Sequence, residues 1–164
     1  MNAEKKLCKI DSIVLGDYIL KNYGPMSHLK LQKLLFYCDA YHIAYFGEEL
    51  IPDKFQAWVH GPVCRRVYDS LKDKSILYAD MSYQAGDIDV DAEFAKLTSD
   101  QQVFLKDILS ELSSWTAFQL ETATHQELPW QDARRGVAPG ERCENYISKE
   151  LTRDYYKKEM AESL

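Results

Sequence analysis

Apolar residues recur at spacings of three and four along most of this chain, so helices dominate the expected structure. Ile10, Ile13, Val14 and Tyr18 share one face of a first helix, which Asp11 or Ser12 can cap and Asn22-Tyr23-Gly24-Pro25 stops. Ser27 caps a longer helix with the strongest periodicity in the chain. Its stripe is Leu31, Leu34, Leu35, Cys38, His42 and Tyr45, with Lys30, Lys33 and Tyr37 turned away and Gly47 as the stop. Of Tyr37, Tyr41 and Tyr45 on this helix, two or three are expected at the surface.

The period changes in Phe55-Gln56-Ala57-Trp58-Val59-His60-Gly61-Pro62-Val63-Cys64-Arg65-Arg66-Val67-Tyr68. Phe55, Ala57 and Val59 alternate as in an extended segment, whereas Val63, Val67 and Leu71 repeat as in a helix. Gly61 tolerates almost any backbone angle and Pro62 has its φ preset for a first helical turn. The chain is therefore expected to turn at Gly61-Pro62 and start a helix at Pro62, with Trp58 and His60 beside that helix start.

From about Lys72 to Lys96 periodicity is weak and Asp80, Asp87, Asp89, Asp91 and Glu93 accumulate. A short strand or hairpin is expected around Ile76 to Tyr83, and a solvated acidic loop over the rest. Ser99 with Gln102 matches a capping box before the stripe Phe104, Leu105, Ile108, Leu109 and Leu112. Ser113-Ser114 is expected to cap a short helix carrying Phe118, Leu120 and Thr124. A connection through Pro129, Gly136, Pro139 and Gly140 leads to a last helix with Ile147, Leu151 and Tyr155 at intervals of four. No repeat and no Pro/Gly/Ser linker divides the chain. The expected fold is mainly α: one compact helical domain over 1–164, core about 11–159, with a small central β element.

At 164 residues and 46% hydrophobic, the chain can bury a real core. A formal charge of −6 argues against a general nucleic-acid binder, which needs clustered Lys and Arg, and suits a basic partner better. The acidic stretch Asp87 to Glu93 is the candidate for steering such a partner. Arg65-Arg66 and Arg134-Arg135 are short basic doublets, and Lys30 with Lys33 makes a third patch; each reads as a solvated helix face, or as a grip for an acidic partner or RNA. Cys8, Cys38, Cys64 and Cys143 form no CxxC pair, so neither a zinc knuckle nor a redox pair is indicated. No export signal or membrane-spanning run is apparent, and the expected setting is the cytoplasm with reduced thiols.

His60 and His125 are the candidate acid–base groups, and Cys64 beside a helix start is a candidate nucleophile. The bland alternative is that each imidazole bonds backbone beside a turn. No nucleophile elbow, phosphate loop or metal-ligand spacing accompanies them, so the chain is read as a non-enzyme without cofactor or metal, and a hydrolase using His60, Cys64 and His125 is the remote alternative. Trp58 and Trp130 read either as contact anchors or as core; Pro129 favours core for Trp130.

Three islands stand out in order: Leu29-Lys30-Leu31-Gln32-Lys33-Leu34-Leu35-Phe36-Tyr37, Phe55 to Val63 with Tyr68, and Thr124-His125-Gln126-Glu127-Leu128-Pro129-Trp130. Together they resemble the Panacea domain family, which includes phage-associated proteins and SocA-like antitoxins, over roughly Leu15 to Tyr155. Trp58, His60, Gly61 and Pro62 match its W-x-H-G-P element, and His125, Pro129 and Trp130 its H-x-x-x-P-W element. The resemblance implies a protein-binding antitoxin that neutralises a cognate toxin by direct contact in a toxin–antitoxin system. Its alternative is an adaptor that delivers the toxin to a Clp-type protease. No DNA-binding helix-turn-helix is visible beside the domain.

Overall fold

The computed structural model describes residues 6–72 and 79–162, and their fold is the expected one: mainly α, with small β elements. Helix α1 (Ser12–Tyr23) is capped by the Asp11 carboxylate, which accepts from the N–H groups of Ile13 and Val14. Strand β1 (Met26–Ser27) precedes α2 (His28–Phe46), whose N-cap is Ser27 and whose end is Gly47 in the left-handed region at φ 79°. Both ends lie where local chemistry puts them.

Helix α2 is the axis of the molecule. Packed around it are α1, the hairpin β2 (Phe55–Trp58) and β3 (Gly61–Cys64), α5 (Ser99–Leu112), α6 (Ala117–His125) and α8 (Lys149–Glu162). Every residue from Leu31 to Ala40 is buried, so the one-stripe reading of α2 fails. Lys33 and Tyr37 are 0% and 3% exposed rather than turned away, while Tyr45, past the surrounding elements, is 62% exposed. Tyr41 is half-buried, so Tyr45 is the one tyrosine of the three at the surface. Asp39 is also buried; it accepts from the N–H groups of Leu50 and Ile51 and pairs with Lys149 at 3.4 Å, tying α2 to the start of α8.

β2 and β3 pair antiparallel, with Trp58 opposite Gly61, and the N–H of Ala57 donates to the carbonyl of Asn145 on the other side of β2. Pro62 therefore lies in an edge strand, where a missing N–H is tolerated. The helix expected from Pro62 begins three residues later, as α3 (Arg65–Leu71), because pairing with β2 holds Gly61–Cys64 extended.

The acidic stretch contains a short helix, α4 (Val90–Phe94), where a loop was expected. Asp89 caps it, Val90 and Phe94 are buried, and Phe94 stacks on Tyr18 with ring centroids 3.9 Å apart. Of the strand expected around Ile76 to Tyr83, β4 (Asp80–Met81) pairs with β1, and 76–78 lie outside the described residues. The capping boxes are Thr98 with Gln101 for α5 and Thr116 with Gln119 for α6, displacing the expected Ser99/Gln102 and Ser113-Ser114. On α5 Leu105, Leu109 and Leu112 are buried, as the stripe predicts, but Phe118 on α6 is 74% exposed.

Helix α7 (Leu128–Ala133) carries Pro129 in its first turn. Ahead of α8, Ile147 is held beside β2 by its N–H to the Phe55 carbonyl, so the helix buries Thr152 and Tyr156, with Leu151 and Tyr155 only half-buried. All four cysteines are free thiols. No described helix is long and apolar enough to cross a membrane.

Candidate functional site

The turn from Trp58 to Gly61 is where the second and third islands meet. Gln32 on α2 fixes the hairpin from below: its Oε1 accepts from the Cys64 N–H at 2.8 Å, and its amide meets His28 Nε2 at 3.0 Å. From α7, Trp130 Nε1 donates to the Trp58 carbonyl at 2.9 Å. Arg134, just past α7 and only 6% exposed, donates to the carbonyls of Ala57 at 2.9 Å and Glu141 at 2.5 Å. The Arg134-Arg135 doublet is thus split. Arg135 is solvated and paired with Asp132, whereas Arg134 is internal glue for the hairpin.

Beneath the turn lies Lys33. Its Nζ is buried with no hydrogen-bond partner, and burial lowers its pKa to about 7, against a weaker raising effect of the Glu121 carboxylate. Among the described residues one other buried side-chain nitrogen or oxygen lacks a partner, and it belongs to the same cluster: Nε2 of His125. His125 stacks on Trp130 with centroids 4.1 Å apart and bonds the Val59 backbone. Burial lowers its pKa; Glu121 opposes this, and Lys33 adds to it. His28, at the first turn of α2, is likewise lowered to about 4 by burial and by Lys33. Glu121 itself accepts from Nδ1 of His60 at 2.7 Å, on a ring that is 45% exposed. A chain of titratable groups thus runs from solvent at His60 through Glu121 to the buried amine.

Gly61 has φ +116°, and a β-carbon there would stand 2.6 Å from Lys33 Cε and 3.0 Å from Thr124 Oγ1. The glycine is needed twice over, for the backbone angle and for the close approach of the lysine. The bland reading holds for His125, which bonds the Val59 backbone and stacks on Trp130, but not for His60, which holds a carboxylate. Cys64 does not have the lowered pKa its place beside a helix suggested; it is 0% exposed and burial pushes the thiol up.

Arg65 points outward, over the Trp58 ring at 5.8 Å and the Tyr68 ring at 5.9 Å, with ion pairs to Asp69 and Glu144. Trp58 is half-buried, its Nε1 donating to Gln56 Oε1. Together with His60, Tyr68 and Arg142 these side chains line a pocket of about 550 Å³ beside the turn. Pro129 is buried and Trp130 half-buried, so the third island serves as support.

The structure thus brings Trp58, His60, Gly61, Pro62, His125, Pro129 and Trp130 together, with Arg65 at the edge. Sequence reasoning missed Glu121 and read Lys33 and Arg134 as solvated basic patches, where both are buried. A signal for Lys33 did exist. Leu31 to Ala40 contains just three charged or amide residues, Gln32, Lys33 and Asp39, and a helix apolar on nearly all sides is a buried one whose few polar groups must be internal.

A family model, antitoxin SocA-like, Panacea domain, matches residues 31–131, a span that contains Lys33, the hairpin, α6 and Trp130. The chain belongs to this family. Neither a curated protein nor a solved structure matches it.

Proposed function

We propose that this protein is an antitoxin that binds a protein toxin and neutralises it by direct contact in the cytoplasm, acting as one unit over 1–164. The observation that carries the reading is membership of the SocA-like antitoxin family, through a match that spans the hairpin and its supports. The contact face in this reading is the outer side of the turn: Trp58, His60 and Arg65, with Gly61, Pro62, His125, Pro129 and Trp130 holding it in shape. Its chemistry suits the role, since indole, phenol and guanidinium groups beside a pocket are the residue types enriched where binding energy concentrates.

The test is co-expression with candidate toxins, beginning with the protein encoded beside this chain. Growth rescue together with a copurifying complex is the expected result. Rescue without any complex overturns contact as the mechanism. Toxin half-life is expected to be unchanged; a half-life that shortens only when a Clp-type protease is present replaces occlusion by delivery to that protease.

A further inference from the structure

Lys33 and His125 hold the two unpartnered buried polar atoms among the described residues, and they lie on either side of Glu121 in sequence and function. An amine offers up to three donors and a neutral imidazole nitrogen one lone pair, so the two groups are complementary. The remaining charged or titratable neighbours are His28 from α2 itself, His60 from the turn, and Glu121 from α6. Of these, only Glu121 carries a negative charge. It pairs with His60 at 2.7 Å, and the Lys33 Nζ has no hydrogen-bond partner.

We propose that Lys33 is the positioning residue of the Trp58–Gly61 turn: its charge state decides whether Glu121 holds His60 in place or turns inward to the amine. With Lys33 neutral, the geometry described above is complete, and the imidazole at the rim of the pocket is fixed by the carboxylate. A proton arriving on Lys33 puts a charge in a site without a partner, where an unpaired charge is costly. Among the described neighbours Glu121 is the acceptor with a compensating charge, and moving toward Lys33 breaks its bond to His60. Because Gly61 packs directly on Lys33, the same step shifts the backbone of the turn. The proton reaches the amine from solvent and leaves by the same route; no bond other than N–H or O–H changes.

This deepens the antitoxin reading by placing a control under its contact face, yet it is testable without any toxin. Nitrogen-15 NMR can follow the side chains of Lys33 and the four histidines from about pH 5 to pH 10 in the intact protein. The expected result is a His60 ring whose signals include a step that shares its midpoint with Lys33. In Lys33→Met that shared step vanishes while the fold persists. In Glu121→Gln the His60 signals lose the step shared with Lys33, and the Lys33 midpoint falls, having lost its favourable charge. A His60 titration unchanged in Lys33→Met overturns the proposal, as does a Lys33 that keeps its proton up to about pH 10. Should Lys33→Met fail to fold, Glu121→Gln decides alone: a Lys33 midpoint that stays put sinks the coupling. Failure here leaves toxin binding untouched, and failure of toxin binding leaves these titrations readable.

Discussion

Lys33 and Gly61 occupy each other's space: the lysine side chain runs where any β-carbon on the glycine would have to be, 2.6 Å from Cε and 3.1 Å from Nζ. Two residues from separate islands are thereby joined, one on the central helix and one at the hairpin. Gly61→Ala is expected to destabilise the protein by roughly 2–4 kcal/mol, from a strained positive φ plus displacement of the lysine, measured as a lowered midpoint of urea unfolding. A wild-type midpoint would show that the turn relaxes freely.

Buried Lys33 imposes a pH dependence whose sign is fixed. Unfolded, it keeps its proton up to about 10.5; folded, only up to about 7. Between those values the unfolded chain binds more protons, so stability rises with pH, and the part present above 10.5 is lost as pH falls through 7. Lys33→Met is expected to flatten this slope and to stabilise the protein at neutral pH by about 1–4 kcal/mol. Denaturant melts at several pH values check both.

Glu127 works in the opposite direction. Burial raises its pKa from 4.5 to about 7, although the hydroxyls of Tyr37 and Tyr156 both donate to it. Its contribution to stability is fully present below 4.5 and is lost as pH rises through 7. Glu127→Gln is expected to be less sensitive to pH across that window in the same melts, with its advantage over wild type growing toward pH 7.

Arg134 gives a test of the hairpin's support. Arg134→Ala leaves the buried carbonyl of Ala57 without its donor and removes the bond to the Glu141 carbonyl, at an expected loss of about 2–4 kcal/mol. Arg134→Lys is expected to recover only part of it, since an ammonium cannot reproduce the guanidinium fork. Arg135→Ala, at a solvated site, is expected to fall within about 0.5 kcal/mol of wild type.

The contact face calls for the reverse pattern. Trp58→Ala and Arg65→Ala are expected to weaken toxin binding tenfold or more, about 1.4 kcal/mol each, while circular dichroism stays native. Calorimetric titration against purified toxin measures the first, and unchanged affinity in both variants would move the interface elsewhere.

The helices and their ends were readable from local chemistry. Asp11, Ser27 and Gly47 act through atoms within a few residues of themselves, so neighbours in sequence are enough to place them. The bend at Gly61 was readable for the same reason. The helix expected from Pro62 was not, since strand pairing across the hairpin outweighs a preset φ. Likewise α4, though capped locally by Asp89, buries Phe94 against Tyr18, a contact across more than seventy residues.

The chain by itself therefore determined that helices dominate, where α1 and α2 start and stop, and that Trp58, His60 and Gly61 lie at a turn, while α4 and α7 fell in segments read as a loop and a connection. Tertiary structure decided what each face meets: that α2 is enclosed on all sides, that Lys33 and Arg134 are internal, and that Tyr45 and Phe118 are outside. The reason is physical. Helix propensity and capping are properties of a few adjacent residues, whereas burial, and with it the charge state of an amine or carboxylate, belongs to whatever distant segments happen to pack against it.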